Sequence, residues 1–248
     1  MRETKGYISE IVYQKPEACS AYPFDLPVLQ GLDTLPLDGR VTFFVGENGS
    51  GKSTLIEAIA IAYGFNAEGG SINFKFSTRN SSSDLWEHLT LIKTPRKARD
   101  GYFLRAESFY NVATELEQLD AIPAASPPLI GSYGGKSLHE QSHGESFLTL
   151  LNERFGTNGL YILDEPEAAL SSQRQLSLLL RLHALVGQHS QFIIATHSPI
   201  LLSYPHATIY SIEAGGIVKR EYEETEQYQF MKMFMNDYKR VLHHLFEE

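Results

Sequence analysis

The sequence predicts an α/β fold, a mainly parallel β-sheet flanked by helices with an antiparallel strand region at its N-terminal end. Three observations predict it. The β-rich run RVTFFVG passes through the glycine-rich GENGSGKST into STLIEAIAIAY, which is apolar on nearly every face and reads as a buried helix. The apolar strand LYIL ends abruptly in two acids, and a second apolar strand, QFIIA, follows it after one leucine-rich helix. Strand, glycine loop and buried helix make the opening βα unit of a parallel sheet, and the later strands supply the rest.

Taken in order, GYISEIVYQ is β-rich, and RVTFFVG and the buried helix follow. From about residue 65 to 100 the chain turns polar, with GG, STRNSSSD and TPRK, before GYFLRAESF reads as a strand. The Ala, Pro, Ser and Gly of IPAASPPLIGSYGGK indicate a loop between Leu119 and Lys136. A helix is expected from about Ser142, then the strand GLYIL, the helix RQLSLLLRLHALV, the strand QFIIA and short strands around ATIYSI and GIVKR. The tail QYQFMKMFMNDYKRVLHHLF is expected to be a helix whose Met and Phe residues pack onto the body as core filler. No internal repeat or heptad pattern is present, and residues 1–248 are expected to form a single domain.

With 248 residues, 42% of them hydrophobic and 21% charged, the chain has apolar material for one sizeable core. Cys19 is the only cysteine, which rules out an intramolecular disulfide and a cysteine metal cluster and favours a reducing compartment. No segment approaches the apolar length of a membrane span, so a soluble, cytoplasmic protein with no membrane partner is expected. A formal net charge of −9 opposes nucleic acid over the whole surface, so any DNA contact must be local. The one dense basic run, Lys93, Arg96, Lys97 and Arg99, reads as a solvated loop and is the first place to look for a polyanionic partner.

GENGSGKST spans Gly46, Glu47, Asn48, Gly49, Ser50, Gly51, Lys52, Ser53 and Thr54 and matches the phosphate-binding pattern G-x-x-x-x-G-K-[ST]. Its glycines let backbone amides converge on phosphate oxygens, Lys52 would reach the β and γ phosphates of a nucleotide, and Ser53 would offer a hydroxyl to Mg²⁺. Such a loop needs an acidic metal partner on a neighbouring strand. Asp164 is expected to hold Mg²⁺ and Glu165 to polarise the attacking water. In IIATHSP, His197 falls at the carboxyl edge of the sheet, where ligands of open α/β folds bind. EQSHGESFL carries two readings: Ser142 and Glu145 as a capping box, or a helix start that binds a phosphate held by another chain.

GENGSGKS, SHGES, LYILDEPE and THSP, in that order, resemble the ATP-binding cassette (ABC) family of P-loop nucleotide-hydrolysing domains between about Arg40 and Tyr204. The resemblance implies that Ser142 and Gly144 stand in the family's signature slots, that ATP and Mg²⁺ are bound, and that two copies face each other as a homodimer closed on nucleotide. Glu145 and the FFVGENGSGKSTLIEAIA context look like the structural-maintenance-of-chromosomes and DNA-repair ATPases, and the compact chain resembles the stand-alone bacterial ATPases of that branch. This implies a DNA-processing or defence partner, such as a nuclease, toxin or DNA itself. An ATP-gated switch with little turnover and the nucleotide-binding subunit of a membrane transporter are the rival readings.

Two departures stand out. The family's glutamine after the next strand is missing, and Glu107 is the candidate occupant of its place, which counts against the transporter reading. Ser171 stands where many relatives have Asp. Tyr13, Tyr22 and Phe24 are available to stack on adenine, but packing as core strand aromatics is the favoured explanation for each, and none is assigned.

Overall fold

The computed structural model describes residues 6–17, 21–72, 83–105 and 143–246, with the isolated positions 114 and 131. The parallel sheet is built from β3 (Val41–Gly46), β6 (Asp100–Arg105), β7 (Gly159–Asp164), β8 (Gln191–Ala195) and β9 (Thr208–Glu213). The spatial order is β9, β3, β8, β7, β6, and all four junctions are parallel. Two antiparallel edges close it: β10 (Gly216–Arg220) on β9 and the two-residue β4 (Gly70–Ser71) on β6.

A separate antiparallel sheet is formed by β1 (Ile8–Tyr13), β2 (Thr34–Pro36) and β5 (Leu89–Lys93), with β1 in the middle. It agrees with the expected antiparallel N-terminal region. However, β5 lies inside the stretch read as polar loop. Its burial pattern shows why: only Leu89 is buried among LTLIK, so the strand carries almost none of the apolar signal that marks a core strand.

The central strands are buried on both faces, and for that reason they read as continuous apolar runs. Side chains alternate between two cores. Phe44, Leu160, Ile162 and Ile193 face α1 (Lys52–Tyr63) and the small sheet. Phe43, Val45, Tyr161, Leu163 and Ile194 face α2 (His143–Thr149), which continues as a π turn over Leu150–Arg154, and α3 (Ser172–Gly187). The expected α/β class, a mainly parallel sheet between helices, is the observed one.

The amino edge of the sheet is pinned through Asp100. Its carboxylate accepts from Arg154 Nη1 at 2.8 Å, from the Tyr161 hydroxyl at 2.8 Å and from Gly156 N at 3.1 Å. Burial acts against the Asp100 carboxylate, yet the Arg154 guanidinium and these donors hold its pKa below the usual value. Arg96, Lys97 and Arg99 are exposed in the β5–β6 connection, at this same amino edge and away from the carboxyl ends of the strands.

The tail departs from expectation. It forms two helices, α5 (Glu226–Asn236) and α6 (Tyr238–Phe246), beyond the one-turn α4 (Pro199–Leu202), and neither α5 nor α6 has a buried residue. Phe230, Met231, Met233 and Met235 are all exposed, so they are not core filler. The helix is broken at Asp237, whose φ of −150° and ψ of 61° leave the helical region. At its start α5 touches the body through Tyr228, against which the Tyr222 ring packs, while the Tyr222 hydroxyl donates to Pro199 O.

Candidate functional site

All the strands that matter end on one side. Gly46 closes β3, Asp164 closes β7 and Ala195 closes β8, so the turns after them meet at the carboxyl edge of neighbouring parallel strands. After β3, Glu47, Asn48 and Gly49 form an exposed turn and Ser50 folds inward, its amide donating to Glu47 O at 3.2 Å. Gly51 then starts α1 at φ 95°, and a Cβ there would lie 2.7 Å from Val28 Cγ1, so only glycine serves. Ser50 O anchors the loop from below by accepting from Val28 N at 3.1 Å.

Lys52 is buried and its ammonium donates to Gly46 O and Glu47 O, each at 2.8 Å, which holds it in the bowl of the loop. Burial lowers its pKa, and Glu165, Asp164 and Glu167 oppose that shift. Ser53 Oγ donates to Asp164 Oδ1 at 3.0 Å, so the metal-ligand candidates of α1 and β7 touch. Thr54 follows in the first turn of α1, and its hydroxyl lies 3.5 Å from the hydroxyl of Tyr22.

Glu165 adopts the left-handed region at φ 50° and ψ 52°, a conformation that costs a non-glycine residue energy and often marks a functional turn. Its amide donates to Ala195 O at 3.0 Å, which ties the end of β7 to the end of β8. This brings Glu165 Oε1 to 3.6 Å from His197 Nε2. Burial, with a further push from the Lys52 charge, lowers the pKa of His197 and favours the neutral imidazole. Below the pair, Glu167 Oε1 accepts from the backbone amide of His197 at 2.5 Å, and burial raises the Glu167 pKa. Ser198 Oγ, which caps α4, donates to Gln175 Oε1 at 2.5 Å and locks the turn to α3.

A cavity of about 470 Å³ opens over this region between Gly46, Glu47, Asn48, His197, Gln227 and Phe230. A larger one of about 700 Å³ runs along the other flank of the loop toward β9 and β10, where Arg220 pairs with Glu213. The smaller cavity is the one that joins the loop to His197.

The donor set suits its expected ligands. A helix N-terminus with a glycine loop and a buried ammonium is an anion site. The buried Ser50 hydroxyl has no hydrogen-bond partner among the described residues, as a polar atom waiting for a ligand would. Ser53 and Asp164 offer hard oxygens, which suit Mg²⁺ completed by phosphate and water. No cluster of three acidic, His or Cys ligands occurs among the described residues, so a metal held by protein side chains alone has no such site there.

Ser142 and Glu107 lie outside the described residues. Gly144 is buried in the first turn of α2, and a Cβ there would lie 2.9 Å from Ala169 O and against Arg174 Nη1. The glycine therefore has a local packing reason of its own. Glu145 pairs with Arg174 at 3.6 Å, and Ser171 Oγ caps α3 by accepting from Arg174 N at 3.4 Å.

Two participants went unnoticed in the sequence. Arg105 ends β6 directly beside Asp164 in the register, and Glu57 lies one helical turn after Ser53 on α1. The signal available was the charge closing the apolar run YFL, mirroring the acids that close LYIL.

In fold the chain is similar to ATP-binding cassette domains, and its glycine loop, the start of α1 and the acids that close β7 meet at one sheet edge. The particular relatives are these. The AAA domain family matches residues 28–109. A nucleotide-free ATP-binding cassette from an ABC transporter superposes with a TM-score of 0.51 at 18% identity, over 95% of this chain and 97% of that one. An inward-facing ABC transporter assigned to the metal-chelate type gives a TM-score of 0.50 at 15% identity, covering 91% and 88%. In sequence the chain is 27% identical to ABC transporter G family member STR2 of Medicago truncatula over 71% of its length, and 26% identical to ABC transporter G family member 22 of Arabidopsis thaliana over 69%. It spans only 26% and 24% of those two proteins. Among the described residues no helix is long and apolar enough to cross a membrane.

Proposed function

We propose that this chain binds ATP with Mg²⁺ and hydrolyses it to ADP and phosphate, closing as a homodimer while nucleotide is bound. The observation that carries the reading is the convergence of Lys52, Ser53, Asp164, Glu165 and His197 at one sheet edge. The loop Gly46–Thr54 holds the phosphates through its amides, and Lys52 turns its ammonium from the loop carbonyls to the β and γ oxygens. Ser53 and Asp164 hold Mg²⁺, which supplies charge neutralisation on the β and γ phosphates when bound. Glu165 accepts a proton from the attacking water. His197 is kept neutral by burial and can donate Nε2–H to a γ-phosphate oxygen, while Glu167 fixes the turn that carries it.

Ser142 and Gly144 at the start of α2 would complete the site of the facing copy, where free amides and the helix dipole suit a γ-phosphate. The chain acts as one domain in this reading, in the cytoplasm given its single cysteine. A DNA-processing or defence partner is suggested by the motif resemblance alone. The named transporters among its relatives support a second reading, a transporter's nucleotide-binding part. Copurification from native cells separates the two, since a permease selects the second and its absence the first. For the chemistry, Lys52→Ala should abolish ATP binding in calorimetry, and wild-type affinity in that variant would refute the assignment.

A further inference from the structure

The charged residues around Asp164 form a chain that the nucleotide chemistry does not by itself require. Asp164 is 8% exposed and its two oxygens have different neighbours: Oδ1 accepts from Ser53, while Oδ2 lies 3.8 Å from Arg105 Nε. The same guanidinium reaches in the other direction, with Nη1 2.5 Å from Glu57 Oε2 and 3.4 Å from Ala67 O. Arg105 and Glu57 are 19% and 12% exposed, so little water screens the three groups. Ser53 and Glu57, four residues apart, share one face of α1, so the helix presents a hydroxyl to one side of Asp164 and a carboxylate to the cation on its other side.

The distances are unequal. Arg105 is in direct contact with Glu57 and only in Coulombic range of Asp164. A guanidinium is a fixed, permanently charged fork that cannot leave by deprotonation, so its charge stays between the two carboxylates and is shared unequally between them. A divalent cation at Ser53 and Asp164 would share Asp164 with it.

We propose that Arg105 is a built-in competitor for the metal carboxylate, and that Glu57 sets the strength of the competition by drawing the guanidinium away from Asp164. Both are positioning residues for Mg²⁺. Glu57 keeps the carboxylate available, and Arg105 supplies a positive charge beside the buried Asp164, whose burial as an anion is costly. Metal affinity is thereby held below what Ser53 and Asp164 alone would give, which suits a site that must release its ligands each cycle. The proposal rests on the assignment of Asp164 to the metal.

The test is Mn²⁺ titration of the ADP-saturated protein, following free Mn²⁺ by electron paramagnetic resonance, with thermal melts in EDTA as the check on folding. Arg105→Gln should tighten Mn²⁺ about tenfold and Glu57→Gln should weaken it about tenfold, the size typical of changes beside a metal ligand. The double variant should behave like Arg105→Gln, because Glu57 acts only through the arginine. Opposite signs are the essential result, since loss of mere structural support would weaken binding in both. Weaker or unchanged Mn²⁺ affinity in Arg105→Gln overturns the proposal. Should that variant fail to fold, Glu57→Gln decides alone, and unchanged or tighter binding there overturns it. If Asp164→Asn binds Mn²⁺ as wild type does, the metal assignment falls as well; if Asp164→Asn loses binding while the other variants are neutral, only the present inference fails.

Discussion

Replacing Gly144 by alanine asks whether the glycine in SHGES serves the partner copy alone or its own chain as well. The added Cβ would sit 2.9 Å from Ala169 O, closer than carbon and backbone oxygen tolerate, and against the Arg174 guanidinium. Arg174 can swing aside, at the loss of its 3.6 Å pair with the exposed Glu145, which is worth little. Ala169 cannot move as easily. It belongs to the one-turn helix Pro166–Ala169 directly after Glu165, and that turn is held by Leu170 N donating to Glu167 O at 2.9 Å. Overpacking of this kind costs about 1–3 kcal/mol, while alanine regains up to about 1 kcal/mol of helix propensity. The net loss expected is about 1–2 kcal/mol. For a domain of this size each kcal/mol lowers the Tm by about 2–4 °C, so calorimetry of the nucleotide-free chain should show a fall of several degrees. A Tm equal to or above wild type would refute the packing argument and leave Gly144 with an intermolecular role only.

Asp100→Asn should cost about 1–3 kcal/mol at neutral pH by removing the charge that Arg154 pairs with. Since the folded pKa of Asp100 lies below its ordinary 3.8, that stabilisation is present above 3.8 and lost as pH falls through the folded value, so urea curves of the two proteins should converge in acid. Ser142→Arg should leave ATP binding intact but remove ATP-induced dimerisation in light scattering. Mixing it with Lys52→Ala should restore part of the ATPase activity through one rebuilt composite site, and no recovery would count against a site shared between copies. Replacing Phe230 or Met233 singly by alanine should leave the Tm within about 2 °C of wild type, because exposed substitutions seldom exceed about 0.5 kcal/mol. A drop of several degrees would return the tail to the core.

Much of the fold is legible because its central strands are buried on both faces: VTFFVG, LYIL and QFIIA are mostly apolar runs, as strands covered on both sides require. The loop residues of GENGSGKST and the acids after LYIL are legible for a different reason, namely that phosphate and metal chemistry restricts residue type and spacing together. Where burial is one-sided the signal fades, as in β5, and where apolar residues stay exposed it misleads, as with Phe230 and the methionines of α5. Arg105 and Glu57 were invisible for a third reason. They belong to different elements 48 positions apart, and only the register of β6 against β7 brings them beside Asp164. The local duty of Gly144 is of the same kind, because Ala169 O comes from another segment.

Mg²⁺-dependent phosphate release from ATP, measured side by side with ATP binding for wild type and Glu165→Gln, tests the central claim most directly. The geometry of Glu165 and His197 at the ends of β7 and β8 predicts that the variant binds ATP with wild-type affinity while its turnover falls by a factor of about 100 or more, the range of a lost general base. Wild-type turnover in Glu165→Gln, or no Mg²⁺-dependent release from the wild-type protein, would contradict it.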